Sequence, residues 1–147
     1  MTGFLASVNC LEEADIALQA GADVIDLKEP ARGILGAVPI STLREVVRFI
    51  AGRRLVSATV GDLSGDPGVI SEAVAEVAAT GVDIVKVGLF DEENRIAFFQ
   101  ALAAQAQSGA RLVVVLFADR EPEPETVLVA IAEAGLMGVM LDTADKQ

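Results

Sequence analysis

The sequence predicts an α/β fold of the TIM (β/α)8-barrel type, in which parallel strands alternate with helices. Short apolar runs and amphipathic stretches alternate along the whole chain, as in consecutive parallel β/α units. Odd-numbered strands resemble one another and so do even-numbered strands, as expected where alternate strands fill the layers of a barrel. A doubly wound sheet is the main alternative, but no Gly-x-Gly-x-x-Gly follows the first strand.

Composition limits the classes of function. A chain of 147 residues with 52% hydrophobic residues suits one domain, residues 1–147. The net charge of −11 argues against nucleic acid or an anionic membrane as partner, although a local group of lysines could still bind a phosphorylated metabolite. No apolar run reaches the ~18 residues of a membrane span, and no signal peptide is recognisable. With no histidine and one cysteine, we expect no metal, no cofactor and a cytoplasmic location.

The first β/α unit is predicted from a strand and a helix cap. Residues 4–8 form the first strand, and Asn9 then caps a helix with Glu12 as its capping-box partner. This helix runs to about residue 20, where Gly21 suits a left-handed terminator.

The second unit contains an unusually long loop. A buried strand at 24–28 is followed by a glycine-punctuated segment, 29–37, which is longer than a simple turn requires. Apolar residues at helical spacing then predict a helix at 41–51.

The later elements follow the same pattern. Further strands are predicted at 55–60, 83–87, 112–117 and 139–141, and further helices at 69–80, 93–107 and 124–134. Because TIM barrels usually need about 200 residues or more and eight strands, six strands predict a shortened chain or a barrel whose open side a partner closes. We therefore expect a homo-oligomer, and the usual phosphate site after strands seven and eight would be missing.

The charged residues at the strand ends are the candidate catalytic groups. Asp26 and Lys28 alternate with apolar residues and so share one face of the second strand. Lys86 lies near the end of the fourth strand, and Asp142 and Lys146 follow the sixth. The chain has three lysines among 11 basic residues, and all three fall at or just beyond a strand end, where the catalytic groups of TIM barrels lie.

Two interpretations of these lysines remain open. Burial and a neighbouring ammonium favour a neutral, nucleophilic amine, whereas a nearby carboxylate opposes that change and suits proton relay or positioning. A solvated ion pair at the end of a strand is the simpler alternative for Lys28.

Other residues carry weaker signals for binding. Ser57 and Thr59 share a face of the third strand and could bind a substrate or simply fill the interior. Gly33 and Gly36 could cradle a phosphate with backbone amides, or serve only turn geometry. Two further aspartates could bind a cation or cap the following helix: Asp62 and Asp119.

Four segments together resemble the (5-formylfuran-3-yl)methyl phosphate synthase family of methanofuran biosynthesis. They are Gly21-Ala22-Asp23 with Asp26-x-Lys28-x-Pro30, Gly33 and Gly36-Ala37; Ser57-Ala58-Thr59-Val60-Gly61-Asp62; Lys86-Val87-Gly88-Leu89; and Asp142-Thr143-Ala144-x-Lys146. The resemblance spans nearly the whole chain. It implies a TIM barrel that joins two glyceraldehyde 3-phosphate molecules into a phosphorylated furaldehyde, with loss of one phosphate and of water.

The resemblance also implies roles for the charged residues. Lys28 would be the Schiff-base lysine and Lys86 the proton acceptor, and the remaining site residues would be Asp26, Asp142 and Lys146. Two alternatives stay open. One is a phosphate-barrel decarboxylase or isomerase that uses the Asp-x-Lys pair without a covalent intermediate. The other is an inactive assembly partner.

Overall fold

The computed structural model describes residues 2–90, 93–120 and 124–145. In this part of the chain, parallel strands alternate with helices, as the sequence predicts. The strands are β1 (Leu5–Val8), β2 (Val24–Leu27), β3 (Leu55–Thr59), β4 (Ile84–Gly88), β5 (Leu112–Phe117) and β6 (Gly138–Asp142). The helices are α1 (Leu11–Gln19), α2 (Ile40–Ile50), α3 (Pro67–Ala78), α4 (Arg95–Gln107) and α5 (Pro124–Glu133), and Pro30–Arg32 form a short 3-10 turn after β2.

The described strands form one parallel sheet in sequential order, β1-β2-β3-β4-β5-β6. The sheet is strongly curled. In a flat sheet, four spacings of ~4.8 Å would place β2 and β6 about 19 Å apart, farther than a lysine and an aspartate side chain can bridge. Instead, the Lys28 Nζ beyond β2 and an Asp142 Oδ of β6 lie 3.9 Å apart on the inner, concave face. Six curled parallel strands with helices outside form part of a barrel.

The main core lies between the sheet's outer face and the helices. Alternate strand residues such as Ile25, Ala58, Val85 and Val114 point outward into it and are buried. Helix α2 shows why these helices form, since its buried residues recur at helical spacing on the face turned to the sheet. The outer face therefore fixes the scaffold, and the inner face is left for other side chains.

A smaller apolar cluster fills part of the inner face. Val115 and Phe117 of β5 point inward and pack with Leu35, which comes from the loop after β2, and with Ala144, which follows β6. The 29–37 loop thus folds back over the concave face instead of extending into solvent.

The outer face of β6 is exposed. Leu141 pairs in register with Leu116 of β5, and the two side chains share this face. Leu116 is 1% exposed beneath the helices, whereas Leu141 is 63% exposed. No helix in the described residues is both long and apolar enough to cross a membrane.

The start of α1 differs from its prediction. Its N-cap is Cys10, and no side chain caps it. The expected Asn9–Glu12 capping box is wrong because the Asn9 amide instead donates to Glu29, at 3.2 Å. The partner that reaches back to the Asn9 backbone N–H is Glu13, at 2.9 Å.

Candidate active site

The candidate site lies on the concave face, at the carboxyl ends of the strands. Because side chains alternate along a strand, Asp26 and Lys86 point inward while their neighbours Ile25 and Val85 enter the outer core. Lys86 pairs in register with Thr59. Lys28, one residue beyond β2, follows the inward alternation of Asp26. The strand pattern therefore brings charged residues to the interior.

Asp26 is the centre of a buried polar network. Its carboxylate accepts hydrogen bonds from the Lys86 ammonium at 2.7 Å and from Ser57 at 2.6 Å. A third donor is the Ser7 hydroxyl, at 3.0 Å. The Asp26 side chain is fully buried and that of Lys86 nearly so. Since a buried charge is tolerated only when it is paired and hydrogen-bonded, these four side chains form one interdependent unit.

Lys28 lies in a separate, more open part of the same face. Its side chain is 12% exposed, and its Nζ lies 3.9 Å from a carboxylate oxygen of Asp142, which is 25% exposed. An open cavity of about 370 Å³ adjoins it, and its wall includes Pro30, Ile34 and Ala144. The cavity could admit a small substrate to this amine, whereas the Lys86 amine is held within the protein.

The predicted binding residues have protein partners. The Thr59 hydroxyl is buried and donates to the Gly36 carbonyl at 3.0 Å, and Ser57 donates to Asp26. Gly36 allows close packing, because a Cβ there would overlap the Glu29 carbonyl oxygen. Gly33 has a φ of +141° and lines the cavity beside Lys28. Substrate binding by these four residues stays a prediction.

Asp62 does not cap the helix that follows it, whereas residues 121–123, which lead from Asp119 into α5, lie outside the described residues. The N-cap of α3 is Asp66, whose carboxylate accepts from Gly68. Asp62 instead accepts from two backbone N–H groups of the loop after β2. Within the described residues, no group of three or more histidine, cysteine or acidic side chains could hold a metal ion.

Asp119 makes the corresponding contact at the other side of the cavity. Its carboxylate accepts from the backbone N–H groups of Ala144 and Asp145, each at 2.9 Å. These two bonds, that from Ala144 foremost, hold the pKa of the Asp119 carboxyl below its ordinary value.

Lys146 and Ser7 differ from the other site residues in how the sequence and the structure treat them. Lys146 lies outside the described residues, so its expected place beside Lys28 stays a prediction. Ser7 was not identified from the sequence. Its signal is positional, because Ser7 pairs in register with Asp26 on the neighbouring strand.

A larger cavity lies at the opposite end of the sheet. Its volume is about 500 Å³, and it opens between α3 and α4 beside Asp83 and Arg111. The Asp83 carboxylate is already bonded to the Val56 N–H there, at 2.8 Å. The smaller cavity beside Lys28 has the more reactive lining, because it combines an amine with a nearby carboxylate.

Solved structures of other proteins share the fold. Phosphonopyruvate hydrolase superposes with a TM-score of 0.72 at 16% identity, over 98% of this chain and 59% of that one. Dihydrodipicolinate synthase from Bacillus clausii gives 0.67 at 18% identity, over 97% and 54%. Such neighbours are TIM-barrel-like enzymes, which confirms the α/β fold and fits a partial barrel.

Sequence relatives identify the family more specifically. A (5-formylfuran-3-yl)methyl phosphate synthase from Methanopyrus kandleri is 37% identical over 92% of this chain and 61% of its own length. The Methanocaldococcus jannaschii enzyme of that name is 39% identical, over 92% and 62%. A Methylorubrum extorquens protein provisionally given the same name is 43% identical, over 97% and 57%.

The chain therefore spans about three fifths of the length of these relatives. The model of one family, described as 4-HFC-P synthase, matches residues 4–147. The resemblance noted in the sequence is confirmed, and the chain belongs to the 4-HFC-P synthase family, whose curated members are named (5-formylfuran-3-yl)methyl phosphate synthases.

Proposed function

We propose that this chain carries the amine-bearing part of a synthase that condenses two glyceraldehyde 3-phosphate molecules into (5-formylfuran-3-yl)methyl phosphate. The observation that carries the proposal is the position of Lys28, 3.9 Å from Asp142 and beside an open cavity. The names of the relatives support the product, and the cavity supports attack by an amine on a small aldehyde.

Lys28 is the proposed nucleophile. Its neutral amine would add to the aldehyde carbon, and loss of water from the carbinolamine would leave an imine that acts as an electron sink. Asp142 lies close enough to exchange a proton with this amine through a modest side-chain movement. Lys146 would complete this part of the site.

The Asp26–Lys86 unit is the proposed proton acceptor. Lys86 would first release its own ammonium proton to solvent, and its neutral amine would then take up the proton removed beside the imine. The Asp26 carboxylate would stabilise the ammonium that forms again. The Ser7 and Ser57 hydroxyls keep that carboxylate oriented. Thr59, Gly33 and Gly36 are proposed to shape the wall that binds the phosphorylated triose.

A phosphate-barrel decarboxylase or isomerase is the second candidate function. The buried Asp26–Lys86 pair favours it, because a fixed ammonium can stabilise an enediolate without a covalent bond. In that reaction Lys28 would bind substrate charge only, and no imine would form.

The complete barrel is part of the proposal. We infer that additional β/α units or a second copy of the chain cover β6, whose Val139 and Leu141 are exposed on the outer face. The greater length of the relatives favours additional units. A phosphorylated triose substrate, homo-oligomerisation and a cytoplasmic location also remain proposals.

Turnover and trapping test the proposed function together. The chain is incubated with glyceraldehyde 3-phosphate, with the Methanopyrus kandleri relative as a positive control, and phosphate release and the mass of the product are followed. We expect formation of the furaldehyde phosphate, and lasting inactivation when borohydride is added during turnover. Turnover of a triose phosphate that borohydride leaves unaffected would favour the non-covalent alternative.

A further inference from the structure

We propose that Asp62 and Asp119 are positioning residues, which hold the two loop walls of the Lys28 cavity in place. This inference rests on the function proposed for that cavity. Asp62 lies in the loop after β3 and Asp119 in the loop after β5, so each follows an odd-numbered strand. Each carboxylate accepts from two consecutive backbone N–H groups in the loop after the adjacent even-numbered strand.

The first wall is the loop after β2. The Ile34 N–H donates to one Asp62 oxygen at 2.7 Å, and the Leu35 N–H donates to the other at 2.6 Å. These two residues have different surroundings: Ile34 lines the cavity with Lys28, whereas Leu35 is buried on the inner face. Because both amides are fixed at one carboxylate, Asp62 sets where Ile34 stands relative to Lys28.

Gly33 provides independent support for this role of Asp62. A Cβ on Gly33 would collide with the Asp62 carboxylate, and the φ of +141° already favours glycine. The glycine therefore allows the carboxylate to lie directly against the loop. Its neighbouring amides at Ile34 and Leu35 are bonded to a protein anion, so those two donors hold the loop and do not face a substrate phosphate.

The second wall is the segment after β6. Asp119 accepts from the N–H groups of Ala144 and Asp145. Ala144 also lines the cavity, and Asp142, two residues earlier, has a carboxylate oxygen 3.9 Å from the Lys28 Nζ. Asp119 thus fixes the segment that leaves β6 immediately beyond Asp142.

The two walls also contribute to one apolar cluster. Leu35 and Ala144 pack in the same inner cluster, with Phe117 of β5. Movement of one loop would therefore disturb the other, and the width of the cavity between Ile34 and Ala144 depends on both carboxylates.

Substitution by asparagine tests the proposal without changing side-chain size. Asp62→Asn and Asp119→Asn each replace one acceptor oxygen by an NH2 group that cannot accept from a backbone N–H. Asp66→Asn is the matched control, because Asp66 follows the same strand as Asp62 but accepts from Gly68 at the start of α3. Hydrogen exchange of the backbone amides at residues 34–35 and 144–145 measures how firmly the two loops are held. Borohydride trapping of glyceraldehyde 3-phosphate on Lys28 measures how well the cavity binds the substrate.

We expect exchange of the released amides to accelerate by about tenfold or more, while amides of β3 and β5 keep their protection. The triose concentration that gives half-maximal trapping should rise by about tenfold in both variants, because a displaced wall misplaces the substrate. The Asp66→Asn control should keep the wild-type half-saturation concentration within about twofold.

Several outcomes would overturn the proposal. Unchanged exchange at the loop amides would show that the carboxylates do not hold them. Accelerated exchange with wild-type half-saturation would show that the walls do not position the substrate. If the wild-type chain traps no triose, the proposed function fails, and reductive methylation of Lys28 by formaldehyde then decides the positioning role. Asp62→Asn should speed that methylation by about threefold or more, and an unchanged rate would overturn the role.

Discussion

Asp26 shows how one side chain constrains its neighbours. Its fully buried carboxylate accepts from an ammonium and two hydroxyls, and each of these donors comes from a different strand. Without them, a buried anion would carry a large desolvation cost. The polar residues inside this partial barrel therefore have to be understood as a set.

Lys86→Met tests this interdependence. The substitution keeps most of the side-chain volume but leaves Asp26 buried without its cation, so we expect the free energy of unfolding to fall by about 3–5 kcal/mol. Urea denaturation followed by circular dichroism measures it. The double variant Asp26→Asn/Lys86→Met serves as the control and should be more stable than Lys86→Met, since it removes the isolated charge. A loss below about 1 kcal/mol would mean that the pair behaves as a solvated one.

The sequence predicted these residues only in part. Alternation along β2 was enough to place Asp26 and Lys28 on one face, and the strand pattern was enough to place Lys86 near the end of β4. It could not identify Ser7 as a partner, because a serine near a strand end is common and its register with Asp26 is a property of the folded sheet. For the same reason, the sequence could not predict that Ser57 donates its hydrogen bond to Asp26.

The loop after β2 is the element on which the cavity most depends. Its ends are joined where the Glu29 N–H donates to the Gly36 carbonyl at 2.8 Å, and Thr59 donates to the same oxygen. Gly36 is required because the chain crosses so close to Glu29. This closure turns Leu35 inward.

Gly36→Ala should therefore open the loop. A Cβ there meets backbone rather than a flexible side chain, so we expect a loss of about 1–3 kcal/mol in the free energy of unfolding. Gly138→Ala is the matched control, since a Cβ at Gly138 meets nothing within 4 Å. Thermal and urea unfolding of both variants measure the difference, and equal stabilities would contradict the close crossing.

The stabilising effect of Asp119 on the folded state should depend on pH. Because the folded state lowers the pKa of this carboxyl, its stabilising effect is fully present above the ordinary pKa of about 4 and is lost as the pH falls through the lowered value. The stability difference between wild type and Asp119→Asn should be constant near neutrality and shrink below about pH 4. Urea unfolding across this range measures it. A difference that grew in acid would reverse the assigned sign.

The sequence predicted the positions of the strands and helices, but not the start of α1 or the path of the 29–37 loop. Periodicity located the strands and helices, because burial on one face is what creates the pattern. The cap of α1 was predicted wrongly, because Asn9 had a competing partner in Glu29, which is distant in sequence. The inward fold of the 29–37 loop depends on Asp62 and Phe117, and neither contact has a local signal.

Helices cover the outer face of the curled sheet except at β6, whose outward side chains are exposed. Leu116 and Leu141 are register partners on this outer face, so they differ chiefly in what lies above them. The alternating pattern of the sequence predicted the parallel sheet. It could not show whether β6 is covered, because that depends on groups outside the six strands.

This matched pair gives a direct test of coverage in the 147-residue chain. Leu116→Ala should lower the free energy of unfolding by about 2–5 kcal/mol, since it leaves a cavity in the core. Leu141→Ala should change it by less than about 1 kcal/mol, because its side chain is 63% exposed. Equal losses in chemical denaturation would show that β6 is covered in solution, for example by a second copy.

Peptide mapping after borohydride reduction identifies the amine that reacts with the substrate. The chain is reduced in the presence of glyceraldehyde 3-phosphate, digested, and analysed by mass spectrometry, with Lys28→Arg in parallel. We predict one triose adduct, on Lys28, and none in the variant. An adduct confined to Lys86, or equal labelling of Lys28 and Lys86, would show that Lys28 is not the nucleophile of this site.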